Sequence, residues 1–117
     1  MRRDERLTKR NDFGAIYRQG KSVADRFLVL YYLPRSIPGV KVGISVSRKV
    51  AKSVGRNRLK RLVREAWRAQ RQQVKPGYHL IVIVRVAARD ATYAQIAHSL
   101  AKLTKKAGLW QDGGAVN

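Results

Sequence analysis

Residues 45–71 concentrate cationic side chains on one loop and one predicted helix. The segment holds ten lysine and arginine residues against a single carboxylate, Glu65. Arginine can donate two parallel hydrogen bonds to phosphate oxygens, and Asn57 adds a donor and an acceptor suited to a ribose or a base edge. This combination predicts a nucleic-acid-binding surface. Its candidate residues are Arg48, Lys49, Lys52, Arg56, Asn57, Arg58, Lys60, Arg61, Arg64 and Arg68.

An ordinary solvated helix face is the alternative explanation for this run of cations. Solvated helices usually place acidic residues four positions from basic ones, where each pair gains about 0.3 kcal/mol, and like charges at that spacing cost a similar amount. The whole chain repeats the imbalance, with 26 Lys and Arg against 7 Asp and Glu and a net charge of +19. Because such a chain repels itself unless a polyanion neutralises it, we favour a nucleic-acid partner.

Residues that could carry out chemistry by themselves are scarce. The sequence has no cysteine, which excludes a disulfide, a zinc finger and thiol chemistry. Its 7 carboxylates are scattered along the chain, and two histidines, His79 and His98, do not make a metal site. We therefore expect no catalytic residue, no metal ligand and no cofactor bound by the protein.

Hydrophobic spacing predicts the elements of the first half of the chain. Thr8 is expected to cap a helix over residues 9–18, and Gly20 to end it in the left-handed conformation. Residues 21–33 are strand-forming, either in one piece or broken at Asp25, and residues 41–47 predict an antiparallel neighbour.

The second half predicts two helices around a central strand. The basic helix covers residues 51–73, the strand residues 78–86, and a capping box of Thr92 and Gln95 starts a last helix that ends near Gly108. Residues 109–117 are expected to be frayed. We predict one RNA-binding domain over residues 1–117, with strands 41–47 and 78–86 parallel through the basic helix in an α+β sandwich. No apolar run approaches the ~20 residues of a membrane span, so a cytoplasmic protein is expected.

Three aromatic residues, Phe13, Tyr17 and Tyr31, allow two interpretations. A helical pair four residues apart that faces a strand is usually core packing. The alternative is a shallow platform on which unpaired bases stack, each stack being worth ~1–3 kcal/mol. In that case Lys21 and Arg26 would hold the nucleic-acid backbone beside the platform.

Two stretches of the sequence resemble the bacterial ribonuclease P protein subunit family. They are Arg56-Asn57-Arg58 within the block over residues 56–62, and the Val-Gly-Ile-Ser-Val-Ser-Arg-Lys stretch over residues 42–49 that precedes it. The opening residues 6–10 with Asp12 and Phe13, and the strands at 29–31 and 81–83, are also similar to family positions. The resemblance thus covers most of the chain.

This resemblance implies a small basic protein that joins a catalytic RNA, which uses Mg²⁺ to cut the 5′ leader from precursor tRNA. The protein would be an accessory subunit of this endoribonuclease, with catalysis left to the RNA. The basic helix would lie against the catalytic RNA, and Phe13, Tyr17 and Tyr31, with Lys21 and Arg26, would receive the single-stranded leader. The family fold also implies an α-β-β-β-α-β-α order, a mostly antiparallel four-stranded sheet and a left-handed crossover, against the general right-handed rule.

Two other classes of protein would also fit a basic α+β domain. A ribosomal-type structural RNA-binding protein without a role in cleavage is the stronger rival. A sequence-specific DNA-binding module is weaker, because no convincing helix precedes the basic helix at helix-turn-helix spacing.

Overall fold

The elements follow one another in the predicted α-β-β-β-α-β-α order. The computed structural model describes residues 5–111. Its helices are α1 (Arg10–Gln19), α2 (Ser53–Gln70) and α3 (Tyr93–Lys106), its strands are β1 (Lys21–Ala24), β2 (Leu28–Pro34), β3 (Val40–Val46) and β4 (Tyr78–Val84), and short 3₁₀ turns cover Arg71–Gln73 and Val86–Ala88. The basic helix and the last strand are therefore each shorter than predicted, because a 3₁₀ turn replaces the end of the first and follows the second.

The four strands form one mixed sheet in the order β1-β2-β4-β3. The predicted parallel pairing of β3 with β4 is confirmed, and the two other pairs are antiparallel. The predicted antiparallel contact between β2 and β3 is wrong, since β4 lies between them. The reason is burial: β2 and β4 are apolar on both faces, whereas β3 carries Lys41, Gly43 and Ser45 on one face and suits an edge. The left-handed sense of the crossover through α2 remains a prediction.

Asp25 breaks the strand-forming stretch into β1 and β2. Its Oδ1 accepts hydrogen bonds from the backbone N–H groups of Phe27 and Leu28, both at 2.9 Å. Its Oδ2 accepts a hydrogen bond from the Ser99 hydroxyl at 2.6 Å and lies 3.2 Å from the Lys102 Nζ. The turn between β1 and β2 is thus fixed by its own carboxylate and anchored to α3.

The two faces of the sheet are covered unequally. Helices α2 and α3 pack side by side on one face and bury the larger core. The largest buried side chains there are Leu28, Leu30, Val42, Leu59, Trp67, Leu80, Ile96, Leu100, Leu103 and Leu109. The other face has only the ten-residue α1, which packs Ile16 with Leu7, Leu33 and Ile81 in a smaller cluster. One short helix cannot cover four strands, so part of this face stays accessible.

Both predicted ends of α1 differ from the structure. Lys9, not Thr8, occupies the N-cap position, and no side chain caps the helix. Gly20 is extended, with φ of −76°, rather than left-handed. Glycine is needed there for another reason, because a Cβ would lie 2.6 Å from the Ile16 carbonyl oxygen and 2.8 Å from that of Tyr32. The close approach of α1 to β2 therefore explains why position 20 requires a glycine.

The start of α3 is as predicted, and its C-terminal continuation is not. Thr92 and Gln95 form the reciprocal capping box. Leu109 is buried, Trp110 pairs with Val74, and the Gln111 side chain donates to the Val74 carbonyl at 3.0 Å. The expectation of a frayed tail is therefore wrong for these three residues, and residues 112–117 lie outside the described part. No helix within residues 5–111 has the length and apolar character that crossing a bilayer demands.

Replacing Asp25 tests the anchored turn. We expect Asp25→Ala to lower the free energy of unfolding by about 2 kcal/mol, since buried donors lose their acceptor. Burial favours a raised pKa for Asp25, but the hydrogen bonds from Ser99, Leu28, Phe27 and Lys102 outweigh it and lower the pKa overall. A lowered pKa in the folded state stabilises the fold above the unfolded value of about 3.9, and this contribution is lost as the pH falls through the folded pKa.

Thermal unfolding measured between about pH 7 and about pH 2 should therefore show a wild-type advantage over Asp25→Ala that shrinks in acid. Asp90→Ala, which removes an exposed carboxylate, is the matched control. An equal loss in both variants, or a difference that does not change with pH, would contradict this account.

Candidate nucleic-acid interface

The cations of α2 occupy the helix surface that its apolar stripe leaves free. Leu59, Val63, Ala66, Trp67 and Gln70 face the core. The predicted RNA-binding residues fall into two groups by exposure. Arg48, Lys49, Lys52, Asn57, Arg58, Arg61 and Arg68 are exposed, and Arg56, Lys60 and Arg64 are half-buried. The one acid of α2, Glu65, is also exposed, but the cations around it outnumber it. The helix therefore presents a strongly cationic outer surface.

Two of these arginines are partly engaged inside the protein. The Arg56 Nη1 donates to the Ala51 carbonyl at 3.1 Å. Arg58 donates to the carbonyls of Ala91 at 2.7 Å and Arg89 at 3.5 Å, and so ties α2 to the segment that precedes α3. The sequence carries no signal for this role, because the acceptors are backbone groups more than thirty positions away.

A small cavity joins the basic helix to the aromatic residues. Lys60 and Arg64 of α2 line it together with Arg6 and Phe13, around a volume of about 130 Å³. The Nε of Arg64 is buried without a hydrogen-bond partner. The three cations that line the cavity, Arg6, Lys60 and Arg64, suit an anionic oxygen. Arg6, which pairs with Val42 through the backbone, is a member of this site that sequence reasoning missed.

The three predicted aromatic residues lie together on the α1 side of the sheet. Phe13 rests on Gly43, where a Cβ would approach two ring carbons to 2.7 Å, so glycine makes room for the ring. Tyr17 and Tyr31 meet edge to face with centroids 5.1 Å apart. Burial, and to a lesser degree the charge of Tyr31, raises the pKa of Tyr17. Tyr17 is therefore a neutral hydroxyl at physiological pH.

Both interpretations of these aromatics hold in part. Phe13 and Tyr31 are half-buried against the smaller core, whereas Tyr17 is 45% exposed. The strip of sheet beside Tyr31 includes Val29 and Ile83, which are only half-buried because α1 does not extend over them. Residues Phe13, Tyr17 and Tyr31 with this strip form what we call the aromatic cleft.

Lys21 and Arg26 are not brought to the aromatic cleft. Lys21 pairs with Tyr32, which packs against the larger core, and residues directly opposite in an antiparallel pair share a face. Arg26 lies over the Phe27 ring, 5.6 Å from its centroid, in the turn next to α3. The predicted position beside the platform is therefore wrong for Lys21, which takes the other face of the sheet, and for Arg26, which lies in the turn between β1 and β2. That either cation contacts the leader stays a prediction.

The carboxylates and histidines do not converge. Glu5 is bonded to Arg71 at 2.8 Å, and Asp12 lies 3.8 Å from Arg35. His79 is buried, and burial lowers its pKa, so the imidazole is neutral. Across residues 5–111, no group of three or more His, Cys, Asp or Glu is arranged to hold a metal ion.

Comparison with known proteins agrees with this architecture. A family model described as Ribonuclease P matches residues 1–108. The ribonuclease P protein component of Clostridioides difficile (strain 630) is 43% identical over 105 residues, which cover 89% of this chain and 92% of that protein.

Solved structures are similar over the same length. The RNase P protein from Staphylococcus aureus superposes with a TM-score of 0.84 at 37% identity, covering 92% of this chain and 98% of that one. The RNase P protein from Thermotoga maritima gives a TM-score of 0.80 at 31% identity, covering 87% and 96%. Sequence, fold and the cationic surface agree, and the chain belongs to the ribonuclease P protein component family.

Proposed function

We propose that this chain binds ribonuclease P RNA through its basic helix and the single-stranded 5′ leader of precursor tRNA through its aromatic cleft. In this way it assists the cut that makes the mature 5′ end of the tRNA. The observation that carries the proposal is the continuity of the two surfaces. Lys60 and Arg64 belong to the basic helix and also border Phe13 of the aromatic cleft.

The basic helix suits a structured RNA. Its exposed cations cover the side of α2 that faces away from the core, and counterion release from phosphates favours such contacts. Within residues 5–111, no side chain forms an ion pair with Arg61 or Arg68 that would compete with phosphate. Arg58 contributes differently, because its bonds to Ala91 and Arg89 hold α2 in place.

The aromatic cleft suits an unpaired strand. Stacking on Tyr17, Tyr31 and Phe13 accepts any base, since every base has a flat face. The half-buried Val29 and Ile83 extend the apolar floor, and the cations at the cavity beside Phe13 meet the backbone of the same strand. A duplex keeps its bases stacked on one another, so it has no free base face to lay on these rings.

Bond cleavage falls to the RNA in this proposal. Magnesium ions held by the RNA would polarise the phosphate and supply an activated water. Within residues 5–111, Asp25, Glu5 and Asp12 are each engaged with a cation or a hydroxyl, and no group of three or more His, Cys, Asp or Glu is arranged to hold a metal ion. Its own contribution is to screen phosphate repulsion, which lowers the magnesium concentration that the RNA requires, and to lengthen the binding track over the leader.

The proposal predicts stimulation of a bacterial ribonuclease P RNA at low magnesium. Precursor tRNA should be cut at the correct 5′ end faster with the protein than without it, and the advantage should diminish as salt is raised. Tight RNA binding without stimulation would instead favour a ribosomal-type structural role. The measurement is single-turnover cleavage with mapping of the product ends.

Arg61 and Arg58 should differ in how salt affects assembly with the RNA. Arg61→Ala removes a phosphate contact, so the slope of log K against log salt should fall in magnitude by about 0.7–0.9. Arg58→Ala should lower the free energy of unfolding by about 1–3 kcal/mol through the lost carbonyl contacts and change the slope less. Lys75→Ala, which removes an exposed cation outside both α2 and the aromatic cleft, is the control. Identical slopes for the two arginine variants would contradict this division.

Tyr17 offers the cleanest test of the aromatic cleft because it is the most exposed of the three rings. We expect Tyr17→Leu to weaken binding of precursor tRNA about tenfold, the loss of one base stack, and to spare tRNA without a leader. Tyr17→Phe should keep the affinity. Tyr93→Leu, which alters an exposed ring on α3, serves as control. An equal effect on substrates with and without a leader would exclude leader binding at this ring.

A further inference from the structure

A second cavity lies between the turn of residues 25–27 and α3, on the side of the sheet away from the aromatic cleft. Its volume is about 420 Å³, and Phe27 and Ala94 give it an apolar wall. Arg26, Gln95 and His98 surround its mouth, and we call this cavity the turn pocket. Neither the basic helix nor the aromatic cleft contributes a residue to it.

The turn pocket is cationic although Asp25 lines it. Both oxygens of this carboxylate are occupied, by the N–H groups of Phe27 and Leu28 and by Ser99 and Lys102. Lys102 and Asp25 therefore cancel, and Arg26 sets the sign of the charge at the mouth. Helix α3 adds no acid along its 14 residues and exposes Lys105 and Lys106 further along. The surface thus complements an anion.

Arg26 and Phe27 make a cation–π contact in the turn pocket. The Arg26 guanidinium lies 5.6 Å from the centroid of the Phe27 ring. A nucleobase can stack on either plane, and Arg26 can also bind the adjoining phosphate. Gln95 and His98, both exposed, provide hydrogen-bond donors and acceptors for the edge of a base. Apolar wall, flat cation and polar rim together match a nucleotide better than a simple anion.

We propose that the turn pocket binds one unpaired nucleotide of ribonuclease P RNA, with its base against Phe27 and Arg26 and its neighbouring phosphates toward Lys105 and Lys106. This inference rests on the proposed function. Ribonuclease P RNA is the source because α2 and α3 pack side by side on one face of the sheet and Arg58 links them. An RNA lying on the basic helix therefore continues onto α3, whereas the leader lies on the opposite face.

The test compares assembly with ribonuclease P RNA and the affinity of the assembled holoenzyme for precursor tRNA. Phe27→Leu keeps an apolar side chain against the core but removes the ring, and should weaken assembly about tenfold. Phe27→Tyr restores a ring and should assemble like the wild type. Arg26→Ser, at an exposed position, should weaken assembly about fivefold and reduce its salt dependence. None of the three should change the affinity of the holoenzyme for precursor tRNA.

Controls separate this inference from the proposed function. Lys75→Ala should assemble normally, and Arg61→Ala should lose affinity. If Arg61→Ala loses affinity while Arg26→Ser and Phe27→Leu assemble normally, the turn pocket is not an RNA site although the proposed function stands. If precursor affinity falls and assembly does not, the nucleotide comes from the substrate and the inference is wrong. If Arg61→Ala also assembles normally, the proposed function itself fails.

Thermal unfolding of each variant shows whether it is folded. If Phe27→Leu is unfolded, assembly of Arg26→Ser decides the outcome.

Discussion

The unequal cover of the two sheet faces determines most of what this protein can do. Strands β2 and β4 are apolar on both sides and must occupy the centre of the sheet, so both faces need a cover. Two helices complete one face, and a helix of ten residues covers only part of the other. The exposed strip that remains is flanked by aromatic rings, because α1 places Phe13 and Tyr17 at its border. An incomplete core on one face is thus the physical origin of the aromatic cleft.

The second constraint is the shortage of acidic partners for 26 basic side chains. Three of the five carboxylates within residues 5–111 are used for architecture: Asp25 fixes a turn to α3, and Glu5 and Asp12 meet Arg71 and Arg35. Arg56 and Arg58 instead donate hydrogen bonds to backbone carbonyl oxygens. Other cations are exposed to solvent, among them Arg61 and Arg68 on α2 and Lys105 and Lys106 on α3. Their repulsion is a cost to the free protein that a bound polyanion relieves.

Sequence reasoning succeeded where the determinants are local. The capping box of Thr92 and Gln95 depends on residues a few positions apart, and the structure confirms it. The sequence left open whether residues 21–33 break at Asp25, and the structure shows that they do, through hydrogen bonds that are also local. The parallel pair followed from a helix between two strands. The resemblance supplied the function, which the charge pattern alone left shared with other RNA-binding proteins.

Sequence reasoning failed where a residue's position depends on residues that are distant in the chain. The prediction for Lys21 failed because one residue of register decides which face a side chain takes, and the prediction for Arg26 failed because this residue lies in the turn beside α3. Gly20 is explained by the carbonyl of Tyr32, and Arg58 by those of Arg89 and Ala91, which no local pattern reveals. The position of β4 between β2 and β3 likewise depends on the relative burial of whole strands.

The position of Lys21 on an edge strand affects how the sheet can meet other molecules. Strand β1 is an edge of the sheet with only four residues, of which Lys21, Ser22 and Ala24 are exposed. The opposite edge, β3, is partly covered by the backbone pairing of Arg6 with Val42. A short, charged edge and a covered one are the two devices that keep open sheets from joining edge to edge. The two edges therefore disfavour strand pairing between neighbouring molecules, although one face of the sheet keeps an accessible apolar strip.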